Sequence, residues 1–196
     1  MMRVARQPIG DILLVTGNRY QDGRGWFRET YSERAFAEAG IDIAFVQDNE
    51  SCSVHAGTVR GLHYQLPPFA QAKLVRVLRG AIFDVAIDLR VGSPTFGRHV
   101  TVRLDASRDD ALFIPAGFAH GFCTLVDDTI VSYKVSTVYA PSYERGIRWD
   151  DPALGIRWPA VSQHAVVSSK DAAWPALATV GRADLFARPP AKEFAQ

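Results

Sequence analysis

The residues best suited to chemistry in this 196-residue chain are His63, Lys73, His120 and Tyr133, each set in or beside an apolar, strand-like segment. His63 lies in the run Gly57, five residues, His63, one residue, Gln65, which is followed by Lys73, six residues and Gly80. His120 closes the run Pro115-Ala116-Gly117-Phe118-Ala119-His120. A neutral imidazole serves as a metal ligand or as a proton-transfer group, because its ordinary pKa lies near working pH. The metal option needs more imidazoles or carboxylates close by, whereas the ammonium of Lys73 would repel a cation. Taken singly, each residue also has an ordinary explanation: His120 as a structural histidine, Tyr133 as a core aromatic with one hydrogen bond, Lys73 as a solvated charge. Lys73 departs from that default because it precedes the apolar run Leu74, Val75, Val77, which turns it towards an interior.

The elements that must position these residues are mostly strands. Strand-like segments run over Ile12 to Thr16, Phe45 to Val54, Val59 to Gln65, Leu74 to Leu78, Ile82 to Leu89, His99 to Leu104, Leu112 to Pro115 and Thr129 to Ser136. Turn-forming pieces such as Asp22-Gly23, Leu66-Pro67-Pro68, Arg79-Gly80 and Gly92-Ser93-Pro94 separate them. The pattern predicts an all-β fold, a jelly roll, with a few short peripheral helices. One helix is signalled by Ser32 as a cap, the run Glu33 to Ala39 and the stop at Gly40, and it is expected to cover one end of the sheets. A further turn of helix is expected at Asp171-Ala172-Ala173. Residues 1–181 read as a single domain and 182–196 as a peripheral Ala/Arg/Pro-rich tail. Strand parity places Gln47 and Asn49 on one face but separates Arg60 from His63, unless a bulge re-aims one of the latter pair.

Composition narrows the partners. With 22 Lys+Arg against 21 Asp+Glu the net charge is +1, so no overall field selects nucleic acid or an anionic membrane, and any anion must be held locally. The apolar runs, such as Ala81 to Leu89, carry aspartates and are far shorter than a membrane span. Cys52 and Cys123 form no metal-binding pair by spacing, and no signal-peptide pattern precedes the first strand; a reducing cytoplasm is the expectation. A composition of 47% hydrophobic and 22% charged residues is that of a folded globular protein.

The two histidine runs match the spacing of the paired metal motifs of cupins, but His-x-His has become His63-x-Gln65 and the carboxylate position has become Lys73. The expectation is therefore a cupin-like roll without a metal or other cofactor. A more specific resemblance runs from Arg24-Gly25-Trp26-Phe27-Arg28-Glu29 through Gln47-Asp48-Asn49, Arg60-Gly61-Leu62-His63-Tyr64-Gln65, Gly92-Ser93-Pro94-Thr95-Phe96-Gly97 and Ala119-His120-Gly121-Phe122 to Glu144-Arg145-Gly146-Ile147 and Trp149-Asp150-Asp151-Pro152. In that order these segments resemble the dTDP-4-dehydrorhamnose 3,5-epimerase family over residues 24 to about 171.

The resemblance implies proton removal beside the C4 ketone of a dTDP-linked 6-deoxy sugar and return of a proton to the opposite face. His63 matches the family's base, Asp171 the carboxylate that orients it, Tyr133 the acid and Lys73 the group that meets the enolate oxygen. Spacing alone cannot pair His63 with Asp171, which reads equally well as a helix cap. Arg24, Arg60 and Lys170 match contacts to the nucleotide or its phosphates, and arginine's forked donors suit phosphate. His120, Glu29, Gln47, Asn49 and Glu144 match further ligand contacts, and Tyr139 the residue that stacks on thymine. The family also implies a homodimer whose strands cross between subunits. Three other readings stay open: a single-centre epimerase, a metal-dependent cupin and a sugar-nucleotide binding module without catalysis.

Overall fold

The computed structural model describes residues 2–187. In chain order its strands are β1 (Arg3–Arg6), β2 (Leu13–Thr16), β3 (Tyr20–Asp22), β4 (Gly25–Phe27), β5 (Gln47–Ser53), β6 (Thr58–Gln65), β7 (Lys73–Arg79) and β8 (Ala81–Asp88). There follow β9 (Arg90–Val91), β10 (His99–Asp105), β11 (Asp110–Ile114), β12 (Phe118–Thr124), β13 (Thr129–Val135), β14 (Glu144–Gly146), β15 (Val166–Val167) and β16 (Phe186–Ala187). Two short helices, α1 (Glu33–Glu38) and α2 (Ser169–Ala172), complete the regular structure with several 3-10 turns.

The strands form a jelly roll of two facing sheets. The first has the order β1-β2-β11-β7-β13-β5 and the second β10-β8-β12-β6-β14, with β15 added in parallel to β6. Between them lies an apolar core of Ile12, Val75, Val77, Ile82, Leu104, Leu112, Ile114, Phe118, Phe122 and Val131. Each outer face is also covered. On the first sheet Phe36 of α1 packs with Ile41, Val15, Leu74 and Phe113, so this helix covers a face of the sheet and not its end. Its cap is the expected one, with the Ser32 hydroxyl accepting from the Ala35 amide at 3.4 Å. On the second sheet Leu62, Tyr64, Val85 and Ile87 pack with Ile147, Leu154 and Phe186.

Two expectations change. Phe118–Thr124 is a strand, wholly buried, although no alternation marks it: a strand covered on both faces has no polar side to alternate with. Residues 182–187 are not peripheral. Phe186 pairs with Arg90 and is 7% exposed, the Asp184 carbonyl accepts from the Tyr64 hydroxyl, and Arg145 binds the Asp184 carboxylate. Residues 188–196 of the expected tail lie outside the described residues.

The decisive irregularity is in the pairing of β6 with β12. His63 faces His120 and Arg60 faces Phe122, so Gly61 and Leu62 together oppose Gly121 alone. This bulge reverses the parity of the strand and turns Arg60 and His63 to the same side. It needs both glycines: a Cβ on Gly61 (φ 135°) would stand 2.5 Å from the Gly121 Cα, and one on Gly121 would stand 2.6 Å from the Arg60 carbonyl oxygen. Gly61→Ala is accordingly expected to lower stability by about 3 kcal/mol, combining overpacking with positive-φ strain. For a chain of this size that is a fall of roughly 10 °C in Tm, readable by calorimetry; a change under about 2 °C would mean that the bulge tolerates a side chain.

Candidate active site

The polar side chains of the interior sit on the inward faces of both sheets. From the first sheet come Gln47 and Asn49 on β5, Lys73 on β7 and Tyr133 on β13, with Tyr133 opposite Asn49 and Val75 in the register. From the second come Arg60 and His63 on β6, Asp84 on β8, His120 on β12 and Glu144 on β14. The two sheets touch within this group, since the Lys73 ammonium lies 3.5 Å from the His63 carbonyl oxygen.

His63 is held by Asp171. The carboxylate Oδ1 lies 2.7 Å from His63 Nε2, and Oδ2 accepts from the Gly61 amide at 3.2 Å. Asp171 is in turn fixed by the cap of α2, where its own amide donates to the Ser168 hydroxyl, so it serves in the helix turn and on the histidine at once. Burial pushes the Asp171 carboxyl up, but hydrogen bonding to His63 and the adjacent imidazole outweigh it and hold the group below the ordinary carboxylate range. An ionised Asp171 fixes the tautomer with hydrogen on Nε2, leaving the lone pair on Nδ1.

A second imidazole–carboxylate pair lies beside the first. His120, 6% exposed, directs Nε2 to both oxygens of the fully buried Asp84 at 3.0 and 2.9 Å. Burial holds His120 below the ordinary imidazole range despite the pull of Asp84, with Lys73 and His63 adding to the depression, so it is neutral at pH 7. Lys73 is pulled down to about 8 by burial, against the favourable charges of Asp84 and Glu144. The Tyr133 hydroxyl is raised above its ordinary range, first by burial, so it stays protonated at neutral pH. Asp84 is not among the residues singled out by sequence. The available signal was a carboxylate inside the apolar run of β8, which demands a buried partner.

At the mouth, Glu144 Oε2 receives both the Tyr139 hydroxyl and the Lys170 ammonium at 2.6 Å. Gln47 joins the Tyr139 amide to Asn49, and Arg60 binds the Ser53 hydroxyl and the Cys52 carbonyl. Eleven of the thirteen residues singled out by sequence thus lie on this interior or its rim: Gln47, Asn49, Arg60, His63, Lys73, His120, Tyr133, Tyr139, Glu144, Lys170 and Asp171. Arg24 and Glu29 do not. Arg24 is exposed on the β3–β4 hairpin, where it pairs with Asp22. Glu29 lines a cleft with Arg28, Arg76 and Asp109 on the outside of the first sheet.

The donor set does not suit a metal ion. Among the described residues no three His, Cys, Asp or Glu side chains are grouped to hold one. Gln65, at the cupin ligand position, spends its amide on the backbone of Phe69, Val138 and Ala140.

Residues 6–179 match the family model for dTDP-4-dehydrorhamnose 3,5-epimerase. The chain belongs to that family. The dTDP-4-dehydrorhamnose 3,5-epimerase of Sinorhizobium fredii is 51% identical over 169 residues, 86% of each chain. The crystal structure of dTDP-6-deoxy-D-glucose-3,5-epimerase from Legionella pneumophila, in complex with dTDP-4-keto-L-rhamnose, superposes with a TM-score of 0.92 at 39% identity, covering 97% of this chain and 100% of that one. A dTDP-4-dehydrorhamnose 3-epimerase of Streptomyces niveus is 42% identical over 159 residues, 81% of this chain and 76% of that one. The chain is therefore an enzyme of the epimerase family, with a roll that brings imidazole, phenol and ammonium groups together.

Lys73 can meet a developing oxyanion only while it carries its proton. In this epimerase kcat/KM is expected to decline as pH rises past about 8, the value to which burial brings Lys73. Asp84→Asn removes a charge that favours the ammonium, so its alkaline limb should fall about one pH unit lower. A pH–rate series on both proteins checks this; an unmoved limb in Asp84→Asn would separate Lys73 from the titration.

Proposed function

We propose that this chain inverts C3 and C5 of dTDP-4-dehydro-6-deoxy-D-glucose to give dTDP-4-dehydro-L-rhamnose. The observation that carries the reading is the pairing, across one interior, of a carboxylate-held imidazole on the second sheet with a protonated phenol on the first. Inversion needs two such groups, because one base working on one face only restores the starting centre.

His63 Nδ1 removes the proton from the carbon beside the C4 ketone. The C–H electron pair becomes the C=C bond of an enolate, and the carbonyl pair moves onto the C4 oxygen, where the Lys73 ammonium meets it. Tyr133 then gives its hydroxyl proton to the opposite face as the enolate collapses to the ketone. The tyrosinate regains a proton from solvent and His63 releases one, so each turnover leaves the enzyme unchanged. Asp171 holds the imidazole tautomer, and no metal or cofactor takes part. Arg60 and Lys170 supply charge for the diphosphate, with His120, Gln47, Asn49 and Glu144 as polar contacts and Tyr139 as the stacking surface for thymine.

Inversion of one carbon alone is the second reading, favoured by the 42% identical 3-epimerase of Streptomyces niveus. Reaction in deuterated water distinguishes the two: deuterium at both C3 and C5 by proton NMR is expected, and label at one carbon would favour the single-centre reaction. His63→Ala is expected to lower exchange by at least about 10³-fold, within the usual weight of a general base. Tyr133→Phe should retain exchange while losing inversion. Normal exchange in His63→Ala would overturn the assignment of the base.

A homodimer is part of the same proposal. Tyr20, Trp26 and Phe27 on the β3–β4 hairpin are 62%, 55% and 70% exposed, an apolar surface that a second copy would cover. That copy would also receive Arg24 and Glu29 at its site. The reaction would take place in the cytoplasm, with which the free thiols of Cys52 and Cys123 are compatible. Subunit exchange between Arg24→Ala and His63→Ala proteins tests the dimer. Hybrids carrying both intact groups at one of two sites should regain roughly a quarter of wild-type activity, as random pairing makes half of the dimers hybrid; no recovery would place Arg24 at its own chain's site.

A further inference from the structure

We propose that Trp174 is a positioning residue for the base: its indole N–H, set beside the Asp171 carboxylate, limits how firmly that carboxylate holds a proton on His63. The inference rests on His63 acting as the base. Trp174 follows α2 directly, and the segment is tied down by the Arg148 amide, which donates to the Pro175 carbonyl. The indole lies against the backbone of Gly146, where any Cβ would run into the ring. Gly146 is the register partner of His63, so the bare backbone at this position lets the indole reach the imidazole. The two rings meet edge to face with centroids 6.3 Å apart.

Trp174 Nε1 is shut off from solvent and makes no formed hydrogen bond. Packing against Gly146 and His63 would be served as well by a phenyl ring, which carries no polar group to bury. The carboxylate that the indole N–H acts on is Asp171, three residues earlier in the chain and already bonded to His63 and Gly61. Among the influences holding that carboxyl below its ordinary range, behind those of His63 and Gly61, is the indole N–H.

The physical consequence follows from sharing. Each N–H dipole acting on Asp171, bonded or not, offsets its charge and weakens its attraction for the imidazolium that forms during proton transfer. Without the indole N–H, the pair takes up its proton at higher pH and less of the enzyme holds the free base. The other charged or titratable groups around the pair are Arg60 on β6, Lys73 on β7, Asp84 on β8, His120 on β12, Tyr133 on β13, Glu144 on β14 and Lys170 on α2. The Lys170 ammonium, 5.9 Å from the indole ring, can face a phenyl ring as well.

The test is Trp174→Phe. Its acidic limb in kcat/KM for solvent deuterium exchange is expected about half a pH unit above that of the unaltered enzyme, the size of a weak hydrogen bond to a charged group. In the unaltered protein, the Trp174 indole N–H signal in a nitrogen-15 NMR titration should move in step with that limb. This second measurement needs no turnover and decides the matter if Trp174→Phe fails to fold. An acidic limb in the same place, or an indole signal indifferent to pH across it, would reduce Trp174 to packing. His63→Ala with normal exchange would instead remove the base assignment, while the indole titration would still report on the Asp171 pair.

Discussion

The site depends on one hydrogen-bonding problem created by the bulge in β6. Two residues opposing one leaves a backbone amide without a strand partner, and a buried amide without an acceptor is costly. Gly61 donates that amide to Asp171. The same carboxylate holds His63, whose side chain points inward only because the bulge reversed the parity of the strand. One acceptor thus answers a defect of the fold and a requirement of the proposed chemistry. It also ties α2, more than a hundred residues later in the chain, to β6 of the second sheet. Relieving the bulge would satisfy the ladder and turn His63 out of the roll.

Charge in this interior comes matched, because the medium cannot solvate it. His120 is paired with Asp84 and His63 with Asp171, and burial holds the His120 imidazole uncharged at rest. Lys73 is the costly member. Burial brings its pKa from the ordinary 10.5 of a lysine down to about 8, so the fold disfavours the ammonium. That penalty is present in full below pH 8 and is relieved as pH rises from about 8 towards 10.5. A cation in this position is therefore a burden on stability, and the proposed function accounts for it as the trade expected where a site must be ready to meet negative charge.

How much of this was legible depends on how local the signal was. The helix at Glu33–Glu38 was readable from its cap and stop, and most of the strands from their apolar runs, because those features act within a few residues. Phe118–Thr124 was not, since burial on both faces erased the alternation that marks a strand. Arg60 and His63 posed a parity conflict whose resolution needed Gly121, a residue on another strand. The His63–Asp171 contact spans 108 positions, so no spacing rule reaches it, and only the family resemblance placed the two together. Asp84 lay in plain view inside an apolar run, but its partner His120 became identifiable only once β8 and β12 were neighbours.

The local charge inventory bears on why a single chain would be incomplete. Within the cavity and its rim, Arg60, Lys73 and Lys170 face Asp84, Asp171 and Glu144, three cations against three carboxylates. Glu144 spends its charge on Lys170, the cation best placed at the mouth. On the proposed function the ligand brings a diphosphate into a site with no local excess of positive charge, and a net charge of +1 over the whole chain offers little from a distance. In the proposed dimer, additional cationic character would come from a residue that the roll does not itself contain. The β3–β4 hairpin carries one in Arg24, 91% exposed by side chain and matched only by a local Asp22. An exposed hairpin that combines such an arginine with three exposed aromatics can meet both needs in one docking event. In the proposed dimer the aromatics would supply the burial that makes association favourable, and the arginine would supply charge where the second copy's cavity is neutral.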